Sequence, residues 1–196
     1  MGEREKSSSR PAGLGFVIFV PSDDPSGRGR LIYSSVFPDE TTIRFFLRKG
    51  QYIGQLELLA ATACYYSLPD IFRGREVIHF VDNTSAIAAL IKGYSGAPDS
   101  SRIVHAFHSL NAALRTNVWF QYVASKANVA DLPSRGAHDE LMEVLKRFGH
   151  RSDIDSEPVE MVIPPFDKWD APFTVWLEHA AAASRGAGQK RRSGRR

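Results

Sequence analysis

Apolar and polar positions divide the chain into strand-like and helix-like stretches. Gly15-Phe16-Val17-Ile18-Phe19-Val20 is β-branched and aromatic and is stopped by Pro21. Asp23, Asp24, Pro25, Ser26, Gly27 and Gly29 are turn formers. Leu31 to Phe37 is a second strand closed by Pro38, so the two runs read as a β-hairpin with a long loop. A third apolar run, Thr42 to Leu47, is placed to pair beside it. The period then changes. Gln55 to Tyr66 is rich in Ala and Leu, has no internal Gly or Pro, and stops before Pro69, which predicts a helix. Val77-Ile78-His79-Phe80-Val81 is nearly continuous in apolar character, as in a buried parallel strand. Asn83 or Thr84 is placed to cap a helix over Ser85–Ile91 that Gly93 ends. Asp99 or Ser100 begins a longer helix to about Arg115, Val118 to Val123 is another strand, and 138–148 carries a helix with one apolar side. A hairpin followed by alternating helix and strand predicts an α/β fold with a mixed sheet covered by helices.

The ends of the chain read differently. Residues 1–12 have the composition of a disordered leader. Residues 13–149 form the folded domain. Residues 150–179 read as a partly docked extension, with Trp169, Phe173, Val175, Trp176 and Leu177 as its anchors, and 180–196 as a disordered basic tail. The 25 Lys and Arg against 22 Asp and Glu give a net charge of +3. Six of the basic residues lie between Arg185 and Arg196; without them the balance is 19 against 22, so the body is mildly acidic. Such a tail attracts phosphate without sequence preference, serves as an import signal, or is a solvated end. A lone cysteine, Cys64, excludes an internal disulfide and a cysteine zinc cluster. No apolar run reaches the ~20 residues of a membrane helix. Met1 to Ser9 is not a secretory signal, so the expected location is intracellular, nuclear or cytoplasmic. His105 and His108 share a helix face but lack a third ligand, and no phosphate-binding glycine loop or nucleophile elbow is present.

Three carboxylates carry the candidate chemistry. Asp82 ends the Val77–Val81 strand, the edge where open α/β sheets bind ligands. Its plain alternative is a helix cap. Glu57 sits among Leu56, Leu58, Leu59 and Ala60, facing either solvent or a site. Asp131 opens Asp131-Leu132-Pro133-Ser134-Arg135 after the last strand, where a cap is again the plain reading. Three acids meeting at one sheet edge repel unless hard cations sit between them, and Mg²⁺ suits such oxygen sites.

Together the motifs resemble the ribonuclease H domain of retroelement reverse transcriptases. The residues that carry the resemblance are Gly13-Leu14-Gly15-Phe16-Val17, Glu57-Leu58-Leu59-Ala60, Phe80-Val81-Asp82-Asn83-Thr84-Ser85-Ala86, Leu90-Ile91-Lys92-Gly93 and Tyr122-Val123 through Asn128-Val129-Ala130-Asp131-Leu132-Pro133-Ser134-Arg135. They span about residues 13–148. The resemblance implies a ribonuclease H-like mixed sheet flanked by helices and metal-dependent hydrolysis of the RNA strand of RNA–DNA hybrids. Two Mg²⁺ (or Mn²⁺) ions would be held by four acids in the order Asp, Glu, Asp, Asp. Glu57, Asp82 and Asp131 match the last three. Asn83, Lys126, Asn128 and Arg135 are the corresponding nucleic-acid contacts, and a polymerase domain of the parent polyprotein is a further partner. The first acid has no match: the stretch before Gly13 reads Ser7-Ser8-Ser9-Arg10-Pro11-Ala12, and Asp23 and Asp24 fall after the matching strand. The expectation is therefore an N-terminally incomplete domain. A gap is expected between the hairpin and the Val77–Val81 strand, and hydrolysis should be weak or absent. The other reading is a non-catalytic nucleic-acid-binding or structural remnant.

Overall fold

The computed structural model describes residues 12–22, 29–47, 52–147 and 155–182. The leader 1–11, the turn residues 23–28 and the basic tail from 183 onward lie outside the described residues.

Strands β1 (Leu14–Val20) and β2 (Arg30–Val36) form the expected antiparallel hairpin, with Leu14 opposite Val36 and Val20 opposite Arg30. The run after it is not a strand. Asp39 accepts a hydrogen bond from the Thr42 amide and starts a short helix, α1 (Glu40–Arg44), from which Phe46 turns into the core. A side-chain cap at the right spacing outweighs the β preference of Thr and Ile there. Helix α2 (Ile53–Ser67) is buried on most of its circumference, as a helix apolar all round must be. A short turn, α3 (Pro69–Phe72), leads to β3 (Glu76–Val81). Helices α4 (Thr84–Lys92) and α5 (Pro98–Leu114) follow, then β4 (Asn117–Tyr122), which pairs parallel to β3. After a 3-10 turn at Ser125–Ala127 come α6 (Asp131–Ser134) and α7 (His138–Arg147).

The chain is thus α/β, with mixed strand directions and flanking helices. The strands do not form one sheet, however. One sheet has the order β1-β2-β5, where β5 is Asp155–Pro158, and the other is β3-β4, with no strand between β1 and β3 among the described residues. Even-numbered residues of β1 pack toward α2 in the main core, while Val17 and Tyr33 meet Leu141 and Leu145 of α7 on the other face. The two-stranded sheet has only one covered face. Val77, Val118 and Phe120 pack inward, but Ile78, Phe80 and Trp119 are 65%, 57% and 71% exposed. The continuous apolar run of β3 is therefore not a fully buried strand, because among the described residues no layer lies over its second face.

The extension docks more completely than its sequence implies. Strand β5 (Asp155–Pro158) pairs parallel to β2. Trp169 and Trp176 are fully buried, and a helix α8 over 173–182 carries Ala180 into the core, three residues into the stretch read as tail. His179 stacks on Tyr66 and bonds its carbonyl oxygen, which fixes α8 to the end of α2. His105 and His108, on α5, bond the carbonyl oxygens of Ala171 and Leu90, so both serve packing. No helix among the described residues is long and apolar enough to cross a membrane.

Candidate functional site

The three carboxylates arrive from three elements. Glu57 lies one turn into α2. It is partly buried because its neighbours Leu56, Leu58 and Leu59 anchor the helix in the core. Asp82 follows the last residue of β3. It is not the cap of α4: Asn83 takes that role, accepting hydrogen bonds from the amides of Ser85 and Ala86 at 3.0 Å. Asp82 is left turned inward, and its Oδ1 is buried with no hydrogen-bond partner. Asp131 begins α6, whose side chain pairs with Arg135 at 3.1 Å.

Electrostatics ties the three together. Burial, then the charges of Asp82 and Asp131, push the Glu57 carboxyl up to about 7. The Asp131 carboxyl is raised by burial and by Asp82, with Arg135 opposing. Such mutual effects require proximity in a poorly solvated place. Three acids remote in sequence therefore share one site.

Fine positioning comes from glycine. A Cβ on Gly13 would run into the Ser134 carbonyl, and one on Gly15 into the backbone of Ala130 and Ser134. These two positions let α6 lie directly on the start of β1, which brings Asp131 beside the end of β3. Asn128 Oδ1 accepts from the Ala130 amide at 3.1 Å and shapes the turn into α6. Of the expected nucleic-acid contacts, Asn83 and Asn128 are thus engaged in local backbone bonding and Arg135 in an ion pair. Lys126 is exposed on the 3-10 turn.

The donor set does not close around an ion. Among the described residues no group of three His, Cys, Asp or Glu side chains is arranged to hold a metal. The carboxylates raise one another's proton affinity without forming such a group. The expected Mg²⁺ or Mn²⁺ pair is therefore not matched by the residues present, and no step is derived through it.

Beside the acids opens a cavity of about 820 Å³. It runs between β1 and β3 and is lined by residues 13–21, by 75–81 and by the α2 side chains Leu56, Ala60, Ala61 and Cys64, with Glu57 and Asp131 at one end. The small residues of α2 are what leave it open. The sequence signal for them was present, Ala60-Ala61-Thr62-Ala63-Cys64 in an otherwise Leu- and Tyr-rich helix, but it marks close packing as readily as a void. Half-buried in the cavity wall, His79 is pushed down to about 4 by desolvation and shares a 3.2 Å hydrogen bond with the Tyr65 hydroxyl.

Comparison with protein-family models, with curated proteins and with solved structures finds no match.

Proposed function

We propose that the chain is a retroelement-derived ribonuclease H-like domain. Its ancestral chemistry is metal-dependent endonucleolytic cleavage of the RNA strand in RNA–DNA hybrids, and that activity is impaired here. The observation that carries this reading is the meeting of three acids from three elements: Glu57 and Asp131 line one cavity, Asp82 Oδ1 is buried with no hydrogen-bond partner, and burial together with Asp82 and Asp131 pushes the Glu57 carboxyl up. Acids that repel are costly to assemble, and a phosphate-binding surface gains nothing from them. Support also comes from their order: an acid on the first long helix, one after the next strand, one after the last strand. The lack of an acid in Ser7-Ser8-Ser9-Arg10-Pro11-Ala12, just ahead of β1, and the open ligand set support the impairment. The proposal includes a site that needs a further acid to hold two ions.

The open ligand set equally favours a second reading, a non-catalytic nucleic-acid-binding or structural remnant. Mn²⁺ titration of the full chain separates the two. The nuclease reading, with its ligand set open, expects only weak Mn²⁺ binding, lost on Asp82→Asn, with trace or no cleavage of a labelled RNA–DNA hybrid in Mg²⁺. Mn²⁺ binding that is absent, or indifferent to Asp82→Asn, supports the remnant. Rapid hybrid cleavage by the unaltered chain would overturn the impairment.

A further inference from the structure

The cavity between the sheets has the features of a slot for one more strand. It follows both strands along their length, residues 13–21 on one side and 75–81 on the other. Neither β1 nor β3 has a strand partner on that side among the described residues. A sheet edge is a row of amides and carbonyls that pairs readily with another extended chain. Two such edges facing one slot, floored by α2, are matched by an occupant with donors and acceptors on both sides along its length.

Direction follows from the ends. The start of β1 lies against α6, Asp131 heads α6, and Asp131 is coupled to Asp82 just past the end of β3. The start of β1 and the end of β3 therefore share one end of the slot, so these strands run in opposite senses. Any inserted strand is parallel to one and antiparallel to the other, consistent with the mixed directions already in the fold.

The chain's own remaining segments are poor occupants. Residues 1–11, 23–28, 48–51, 148–154 and 183–196 contain only Met1, Phe148 and Ile154 as large apolar side chains. The slot's floor is Leu56, Ala60, Ala61 and Cys64, which calls for large apolar residues at every second position.

We propose that the slot binds an extended polypeptide segment of six or seven residues from outside these 196, with alternate large apolar side chains facing α2. It adds as a strand between β1 and β3 and joins the two sheets. This does not rest on what the carboxylates do.

The test pans a display library of random nine-residue peptides on the full chain. An enriched peptide is then synthesised with and without N-methyl groups on alternate amides. Enriched sequences are expected to alternate large apolar residues. Binding should slow amide exchange at least tenfold in both Leu14–Val20 and Glu76–Val81, and N-methylation should weaken it at least tenfold. Ala60→Trp, which fills the floor, should abolish binding. If that variant does not fold, the N-methyl comparison on the unaltered chain decides. No enrichment, slowed exchange in only one strand, or equal binding of the N-methylated peptide overturns the proposal; the last would mean a plain apolar pocket. A dimer whose two strand edges are already protected also overturns it, by naming a second copy as occupant. Failure of the nuclease reading, seen in Mn²⁺ binding and hybrid cleavage, leaves all these readouts unchanged.

Discussion

Two side chains near the cavity pull the pH dependence of stability in opposite directions. Glu57 is held at about 7 against an ordinary value of 4.5. The unfolded chain then loses this proton first as pH rises, so stability falls between about pH 4.5 and 7. His79 is held at about 4 against 6.5. The unfolded chain gains that proton first as pH falls, so stability falls between about pH 6.5 and 4. The two slopes largely cancel over their shared window. Glu57→Gln should expose the His79 slope: urea titrations should find the variant on the order of 2 kcal/mol more stable than the parent at pH 8, and no more stable at pH 4. A gain that is equal at both pH values would mean the carboxyl is not under this strain. At the same scale, Asn83→Ala removes the cap of α4 and should cost about 1 kcal/mol in thermal melts. Residues of this kind were partly legible. Asn83 was one of two cap candidates, with Thr84, and its bonds to the Ser85 and Ala86 amides are what free Asp82 for another role. The buried Asp99, which bonds the Leu47 amide and Gln55, was read only as a helix start, because its partners lie 52 and 44 residues away.

At the level of elements, periodicity found those whose packing is regular. The β1–β2 hairpin, α2, β3, α4, α5, β4 and α7 lie where the apolar spacing puts them. Local chemistry overrode it once, in α1, where the Asp39 cap converts an apparent strand into a helix. The extension was underread because its contacts are long-range: Trp169 and Trp176 give no period, yet both are fully buried. Trp176→Ala should cost about 3–5 kcal/mol in denaturant unfolding, whereas a loosely attached extension would lose almost nothing. The junction of β1 with α6 is equally specific. Gly15→Ala drives a methyl into the backbone of Ala130 and Ser134 and should destabilise by about 1–3 kcal/mol. If the melting temperature is unchanged, α6 does not rest on β1 as described. The order of the three acids was readable from sequence. Their failure to close on an ion was not, since it depends on how the side chains are set in three dimensions, which no motif encodes.

Over the whole molecule, the dominant feature is the division of the strands into two sheets. A discontinuity at this place was an expectation of the family resemblance, and the cavity lies between the same two strands. Its shape and apolar floor come from tertiary packing that composition does not report. The division also has a consequence for how the protein comes apart. No backbone ladder crosses from β1 to β3. Cohesion along that line rests on side chains packed around α2 and on two covalent paths, from β2 through α1 into α2 and from β4 to α6. Cooperative units of opening usually follow hydrogen-bonded substructures. Under mild urea, the amides of Leu31–Ser34 and those of Val77–Val81 should therefore open as two populations, each with its own free energy and urea dependence. A single opening event for both would mean that one helix is enough to make two halves melt as one.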